Sequence, residues 1–110
     1  MKIEEIRSFY EKLDFDMVEI DDEDVLFLEI PDRNIYATVT DIDGAIPLAL
    51  EDPIIWSVYD ENDAFQWSVT VENSHYLEGL FSDSDSYDDI LQSLRSLRED
   101  NIQKADPSHL

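Results

Sequence analysis

The stretch Ile54-Ile55-Trp56-Ser57-Val58-Tyr59-Asp60-Glu61-Asn62-Asp63-Ala64-Phe65-Gln66-Trp67-Ser68-Val69-Thr70-Val71 decides the fold. Two alternating runs flank a polar tetrapeptide, the pattern of an antiparallel hairpin with one wet face. Closing it with Tyr59 opposite Ala64 pairs Val58 with Phe65, Trp56 with Trp67 and Ile54 with Val69. Each apolar residue then meets an apolar partner. Ser57, Gln66, Ser68 and Thr70 fall on the other face. A slip of one residue would send Trp67 to the wet side, so parity is strongly specified.

Upstream, residues 25–30 and 35–40 flank Pro31-Asp32-Arg33-Asn34, a good four-residue turn. Pairing Ile30 with Ile35 sets Leu28 against Ala37 and Leu26 against Val39. The next turn signal is Asp43-Gly44. Pairing Ile42 with Ala45 there brings Leu48 opposite Val39 and Leu50 opposite Ala37, which continues the same face. A shorter strand, residues 16–20, precedes them through Asp21-Asp22-Glu23-Asp24. Val18, Ile20, Val25, Phe27 and Tyr36 then share the sheet's second face, whose one end is apolar.

Helical spacing appears at both ends of the chain. Ile3, Ile6, Phe9, Tyr10 and Leu13 form a stripe over residues 3–13. Tyr87, Ile90, Leu91, Leu94 and Leu97 form another over about residues 86–100. Ser86 is placed to cap that helix, with Asp88 and Asp89 in its first turn and Arg95 and Arg98 near its end. Residues 72–83 read as a connection anchored by Tyr76, Leu77, Leu80 and Phe81. The expected architecture is α+β: an antiparallel β-meander of about five strands flanked by an N-terminal and a C-terminal helix. The alternative puts a helix on each face. Residues 1–100 form one domain, and residues 101–110 a frayed tail.

Composition narrows the function. The apolar fraction of 43% is that of a globular chain. There is no cysteine, which excludes thiolate chemistry and disulfides and fits a reducing cytoplasm. No apolar run follows Met1-Lys2-Ile3-Glu4-Glu5, so no signal peptide is expected, and no stretch is long enough to span a bilayer. Seven Lys plus Arg stand against 28 Asp plus Glu, a net charge of −21. That balance opposes direct contact with nucleic acid or anionic lipid and favours a partner with a basic surface.

Motifs for chemistry are lacking. His75 and His109 are the only imidazoles, no strained Gly-x-Ser-x-Gly turn exists, and no glycine-rich phosphate loop is present. Asp41-Ile42-Asp43-Gly44 and Asp83-Ser84-Asp85 offer hard oxygens without the ligand spacing of a calcium loop. No catalytic residue, cofactor or metal is expected. The acidic residues cluster as Asp21, Asp22, Glu23 and Asp24; as Asp60, Glu61 and Asp63; and as Asp83, Asp85, Asp88 and Asp89. Turn and cap preferences account for those positions, but not for the scarcity of lysine.

Three functional expectations follow. The first is a non-catalytic protein-binding adaptor, regulator or chaperone-like module. Its contacts would be the acidic clusters or the apolar set Val18, Ile20, Val25, Phe27 and Tyr36, a surface equally suited to a second copy of the chain. The helix–meander–helix order and the acidity resemble small secretion-type chaperones, in element order alone and with no shared motif. The second is a nucleic-acid mimic, whose carboxylates occupy a basic channel in a DNA- or RNA-handling protein. The third is an acidic surface suited to a salty cell, with no specific partner.

Overall fold

A computed structural model describes residues 2–105. The order is α1 (Lys2–Glu11), β1 (Asp16–Ile20), β2 (Glu23–Ile30), a 3₁₀ turn (Pro31–Arg33), β3 (Ile35–Thr40), β4 (Ile54–Asp60), β5 (Phe65–Val71), α2 (Ser74–Asp83) and α3 (Tyr87–Ala105). The five strands form one antiparallel sheet in sequence order, β1-β2-β3-β4-β5. This is the expected α+β meander, with one helix before it and two after. No described helix is long and apolar enough to cross a membrane.

The β2–β3 hairpin has the register that its alternation dictates: Leu26 opposite Val39, Leu28 opposite Ala37, Ile30 opposite Ile35. Its turn closes through Asn34, which adopts the left-handed conformation at φ 55°. The β1–β2 hairpin is tighter than expected. Ile20 pairs with Glu23, and Asp21 and Asp22 alone make the turn, both at positive φ. Two left-handed residues give the twist that joins antiparallel strands most closely.

The next segment departs from expectation. Residues 45–50 do not join the sheet; β4 takes that place, with Trp56 opposite Val39 and Val58 opposite Ala37. Pro47 lies in the middle of the excluded segment and has no N–H to give a ladder. Leu48, expected opposite Val39, is 70% exposed. The turn is also one residue longer than the pairing of Ile42 with Ala45 assumed. Asp41 N–H donates to the Ala45 carbonyl at 2.7 Å, leaving Ile42, Asp43 and Gly44 as the loop.

The β4–β5 register also differs. Ile54 pairs with Val71, Trp56 with Val69 and Val58 with Trp67, so the two tryptophans are not opposite each other. Two separate one-residue shifts produce this. The loop closes by a bond from Asp60 N–H to the Ala64 carbonyl, and Gln66 is left unopposed between Phe65 and Trp67 as a bulge. Either shift alone would turn the tryptophan outward. Together they restore parity, and Ile54, Trp56, Val58, Trp67, Val69 and Val71 all face the core.

The loops Asp41–Ala45 and Asp60–Ala64 are the same device. In each, the aspartate Oδ1 accepts two backbone N–H bonds, from Asp43 and Ala45 or from Asn62 and Ala64, at 2.8–2.9 Å. The fourth residue, Gly44 or Asp63, has positive φ.

The helices add two corrections. Residues 74–83, expected as a connection, form α2, capped by the Asn73 side chain accepting from Tyr76 N–H at 2.9 Å. Helix α3 starts as expected, with Asp89 N–H on Ser86 Oγ, but extends to Ala105. Arg95 and Arg98 are therefore mid-helix and do not complement its C-terminal dipole. Arg95 instead lies over Trp67, 5.2 Å from the ring centroid. The remainder of the expected frayed tail, residues 106–110, lies outside the described residues.

All three helices pack on one face of the sheet. The core joins Ile6, Tyr10 and Leu13 from α1 and its following turn to Leu77 of α2, Ile90 and Leu94 of α3, and the inward residues of the strands. Ile3, expected in the α1 stripe, is 47% exposed. Tyr10 is fully buried, and its hydroxyl shares a 2.6 Å hydrogen bond with Ser74 Oγ.

Two stability outcomes are expected. Gly44→Ala should cost about 1 kcal/mol in urea unfolding, because φ is +87° although the space is open. Gly79→Ala, inside α2 and equally unobstructed, should stabilise by about 0.5–1 kcal/mol. The second concerns alkaline pH. Burial pushes the Tyr10 phenol from 10.0 up to about 12, against a smaller lowering by Ser74. The fold favours the neutral phenol, so this contribution is whole below pH 10 and lost as pH rises towards 12. The share of tyrosinate absorbance that a Tyr10→Phe variant lacks should, in wild type, appear only as pH approaches 12 and together with unfolding.

Candidate functional site

Strand parity divides the sheet into a covered face and an open one. None of the open-face residues Val18, Val25, Phe27, Tyr36, Ile55, Tyr59 and Phe65 belongs to the core or packs against it. The apolar set expected from sequence is gathered here. Val18 pairs with Val25, and Tyr36 stands beside Glu29 on the neighbouring strand. Ile20, at the end of β1, is 47% exposed.

The face's main feature is a row of four rings crossing four strands. Phe27 of β2 stacks on Tyr36 of β3 at 4.7 Å with 30° between planes. Tyr36 stacks on Tyr59 of β4 at 5.2 Å and 15°. Tyr59 meets Phe65 of β5 edge-on at 5.8 Å and 71°. Cross-strand aromatic pairs stabilise a sheet, but a ladder of four on a face without a helix leaves a large apolar surface in water. Phe65 is 58% exposed.

Sequence reasoning missed Tyr59 and Phe65. Simple alternation places Phe65 opposite Val58 in the core. Closure of the loop at Asp60 and Ala64 sets it opposite Tyr59, and the Gln66 bulge then turns Trp67 back to the core. The Gln66 amide folds back onto the Asp60 carboxylate at 3.3 Å and the Ala64 carbonyl at 3.1 Å, which holds the bulge.

Carboxylates border this row. The Tyr36 hydroxyl donates to Asp63 Oδ1 at 2.9 Å. Its phenol is pushed from 10.0 up to about 12, first by burial, then by that bond and the charge of Asp63, with Tyr59 and Asp60 adding less. Where the turns 31–34 and 61–63 approach, Phe27, Glu29, Asn34, Tyr36 and Glu61 line a cavity of about 250 Å³.

Cations are segregated from all of this. No strand contains a lysine or arginine, and Arg33 is the only one between residues 13 and 94. Arg33 points away from the row, its Nε donating to Asp88 Oδ1 at 2.7 Å at the start of α3.

The three acidic clusters are not one surface. The turn at Asp21–Asp24 lies at one end of the strands, and Asp60, Glu61 and Asp63 at the other, about 20 Å away for strands of this length. Asp83, Asp85, Asp88 and Asp89 sit at the α2–α3 junction on the helix side; Asp88 is tied to Arg33, and Asp89 Oδ2 accepts from Asp85 N–H. His75 lies 3.3 Å from the Glu51 carboxylate and edge-on to Phe9 at 5.8 Å. Ser74, beside it in sequence, is committed to Tyr10.

The two positions that exchange roles at the bulge should respond oppositely to truncation. Phe65→Ala should cost under about 1 kcal/mol in chemical denaturation, because the ring is already in water. Trp67→Ala should cost about 3 kcal/mol or more, because that ring is 9% exposed and carries Arg95. Equal costs would put Phe65 back in the core and remove the ladder.

No protein-family model matches the chain, nor does any curated protein or solved structure match it significantly.

Proposed function

We propose that the protein is a non-catalytic protein-binding module, an adaptor or chaperone-like regulator, that docks a basic partner on the open face of its sheet. The row Phe27–Tyr36–Tyr59–Phe65 carries this reading. Its rings lie on the face opposite the core, and exposed aromatic rows bordered by polar groups have the composition of interface centres.

The charge pattern favours one kind of partner. A sheet with no cation of its own repels phosphate backbones and anionic lipid, and draws in a basic protein surface at a salt-dependent rate. It equally opposes pairing with a second copy of this chain, which would bring two net charges of −21 together. Mimicry of a duplex is less well supported, because phosphate-like rows would have to run between clusters at opposite ends of the strands.

A double substitution on the face separates binding from folding. Tyr59→Ser with Phe65→Ser should weaken retention of a partner from the native cell by at least about tenfold, with the helix-side surface intact. Retention should fall as salt rises. A partner held equally by wild type and the variant binds elsewhere, and the open face is then not the docking surface.

A further inference from the structure

The cavity at the end of the aromatic row has a chemistry of its own. Phe27, Tyr36, Glu29 and Glu61 stand on its walls. Tyr36 is stacked on both sides, by Phe27 and by Tyr59, so the ring face open to a ligand is the outer one of Phe27. Glu29 sits mid-strand directly beside Tyr36. Among the described residues, neither glutamate takes a side-chain hydrogen bond or an ion pair. The one cation carried by the adjacent turn, Arg33, is held on the helix side by Asp88. Two carboxylates without a counter-ion therefore share a recess with an aromatic face. Ring quadrupoles and carboxylates attract the same species, a cation, and both reject an anion.

Resting on the docking reading above, we propose that this cavity is the anchor site for an arginine side chain of the partner. The guanidinium lies flat against the outer face of Phe27 and forks to Glu29 or Glu61. Arginine suits the site better than lysine. A planar, weakly hydrated fork matches both a ring face and a carboxylate, whereas an ammonium is a compact, strongly hydrated point charge. The neighbouring Asp63 carboxylate, already bonded to Tyr36, fixes the tyrosine ring without using up either glutamate. The arginine is supplied by another protein. This chain's own Arg7, Arg95 and Arg98 lie on its helices, and Arg33 is paired.

The test uses the full chain and three capped nine-residue peptides that alternate valine with arginine, lysine or citrulline. Citrulline keeps the shape of arginine and removes its charge. The arginine peptide should bind with amide shifts centred on Phe27, Glu29, Tyr36 and Glu61, at least about tenfold more tightly than the citrulline peptide and measurably more tightly than the lysine peptide. Glu29→Gln with Glu61→Gln, both on exposed carboxylates, should abolish the preference for arginine without lowering the melting temperature. Equal affinity for arginine and citrulline overturns the anchor while leaving an apolar docking face standing. Equal affinity for arginine and lysine overturns the guanidinium assignment. Shifts confined to Asp21–Asp24 or Asp83–Asp89 place the cation elsewhere and overturn it as well. Failure of the docking reading shows independently, as undiminished partner retention by the Tyr59/Phe65 variant.

Discussion

Phe15 follows α1 and holds the layers together. Its ring meets Tyr10 at 5.1 Å, Trp56 at 6.1 Å and Phe81 at 6.1 Å, so one side chain touches α1, the centre of the sheet and α2. It is 2% exposed, and its backbone N–H bonds the Tyr10 carbonyl at 3.0 Å, which ends the helix and turns the chain into β1. Asp14 makes that turn at φ 70°. The inner face of the sheet is organised around this aromatic cluster. Once Trp56 is fixed inward, period-two alternation assigns the strand residues to the core or to the open face, except across the Gln66 bulge.

Placing three helices on one face has a physical cost. A two-layer α+β domain has only one buried sheet surface, so the other must be polar or must serve a partner. On β5 after its bulge and in the middle of β4 it is polar, with Ser57, Ser68 and Thr70. Along the aromatic row it is not. The edge beyond β5 is partly satisfied from the helix layer, where the Asn101 amide donates to the Thr70 carbonyl at 3.0 Å. That bond draws α3 towards the edge strand and leaves the middle of the open face clear.

Much of this was legible in the sequence, and the failures share a cause. Alternation located the hairpin β2–β3, the inward set of β4 and, Phe65 apart, that of β5, and the apolar set from Val18 to Tyr36. It failed where a single residue changed the count. Pro47 removed a strand from a segment whose apolar pattern fitted the sheet. Gln66 inserted a bulge that a pattern of period two cannot reveal. Asp63 hid a turn: Asp41–Ala45 announced itself through Gly44, while the identical loop at Asp60–Ala64 uses an aspartate where glycine is expected. The α2 helix was obscured by the serines and glycine among its apolar anchors. Phe15 escaped notice because it lies between two recognised elements. The candidate site inherited these gaps, since Phe65 reaches the open face beside Tyr59 only through the longer loop and the bulge.

The turns also explain much of the acidity, and thereby isolate the part they do not explain. The chain has two glycines, and Asp14, Asp21, Asp22 and Asp63 all occupy positive φ, a conformation that aspartate tolerates better than most residues. Asp41 and Asp60 close loops through paired backbone bonds, and Asp89 lies in the first turn of α3. These aspartates have conformational work to do. Glu29 has none. It sits in the middle of a strand, where glutamate is disfavoured, and faces the side of the sheet opposite the helices. Turn chemistry cannot place it there, and neither can helix capping. Its neighbours are the stacked rings of Phe27 and Tyr36. A carboxylate with no counter-ion beside a ring face is an arrangement that a cation would stabilise, and it is the strongest physical reason to look for a basic partner on this face.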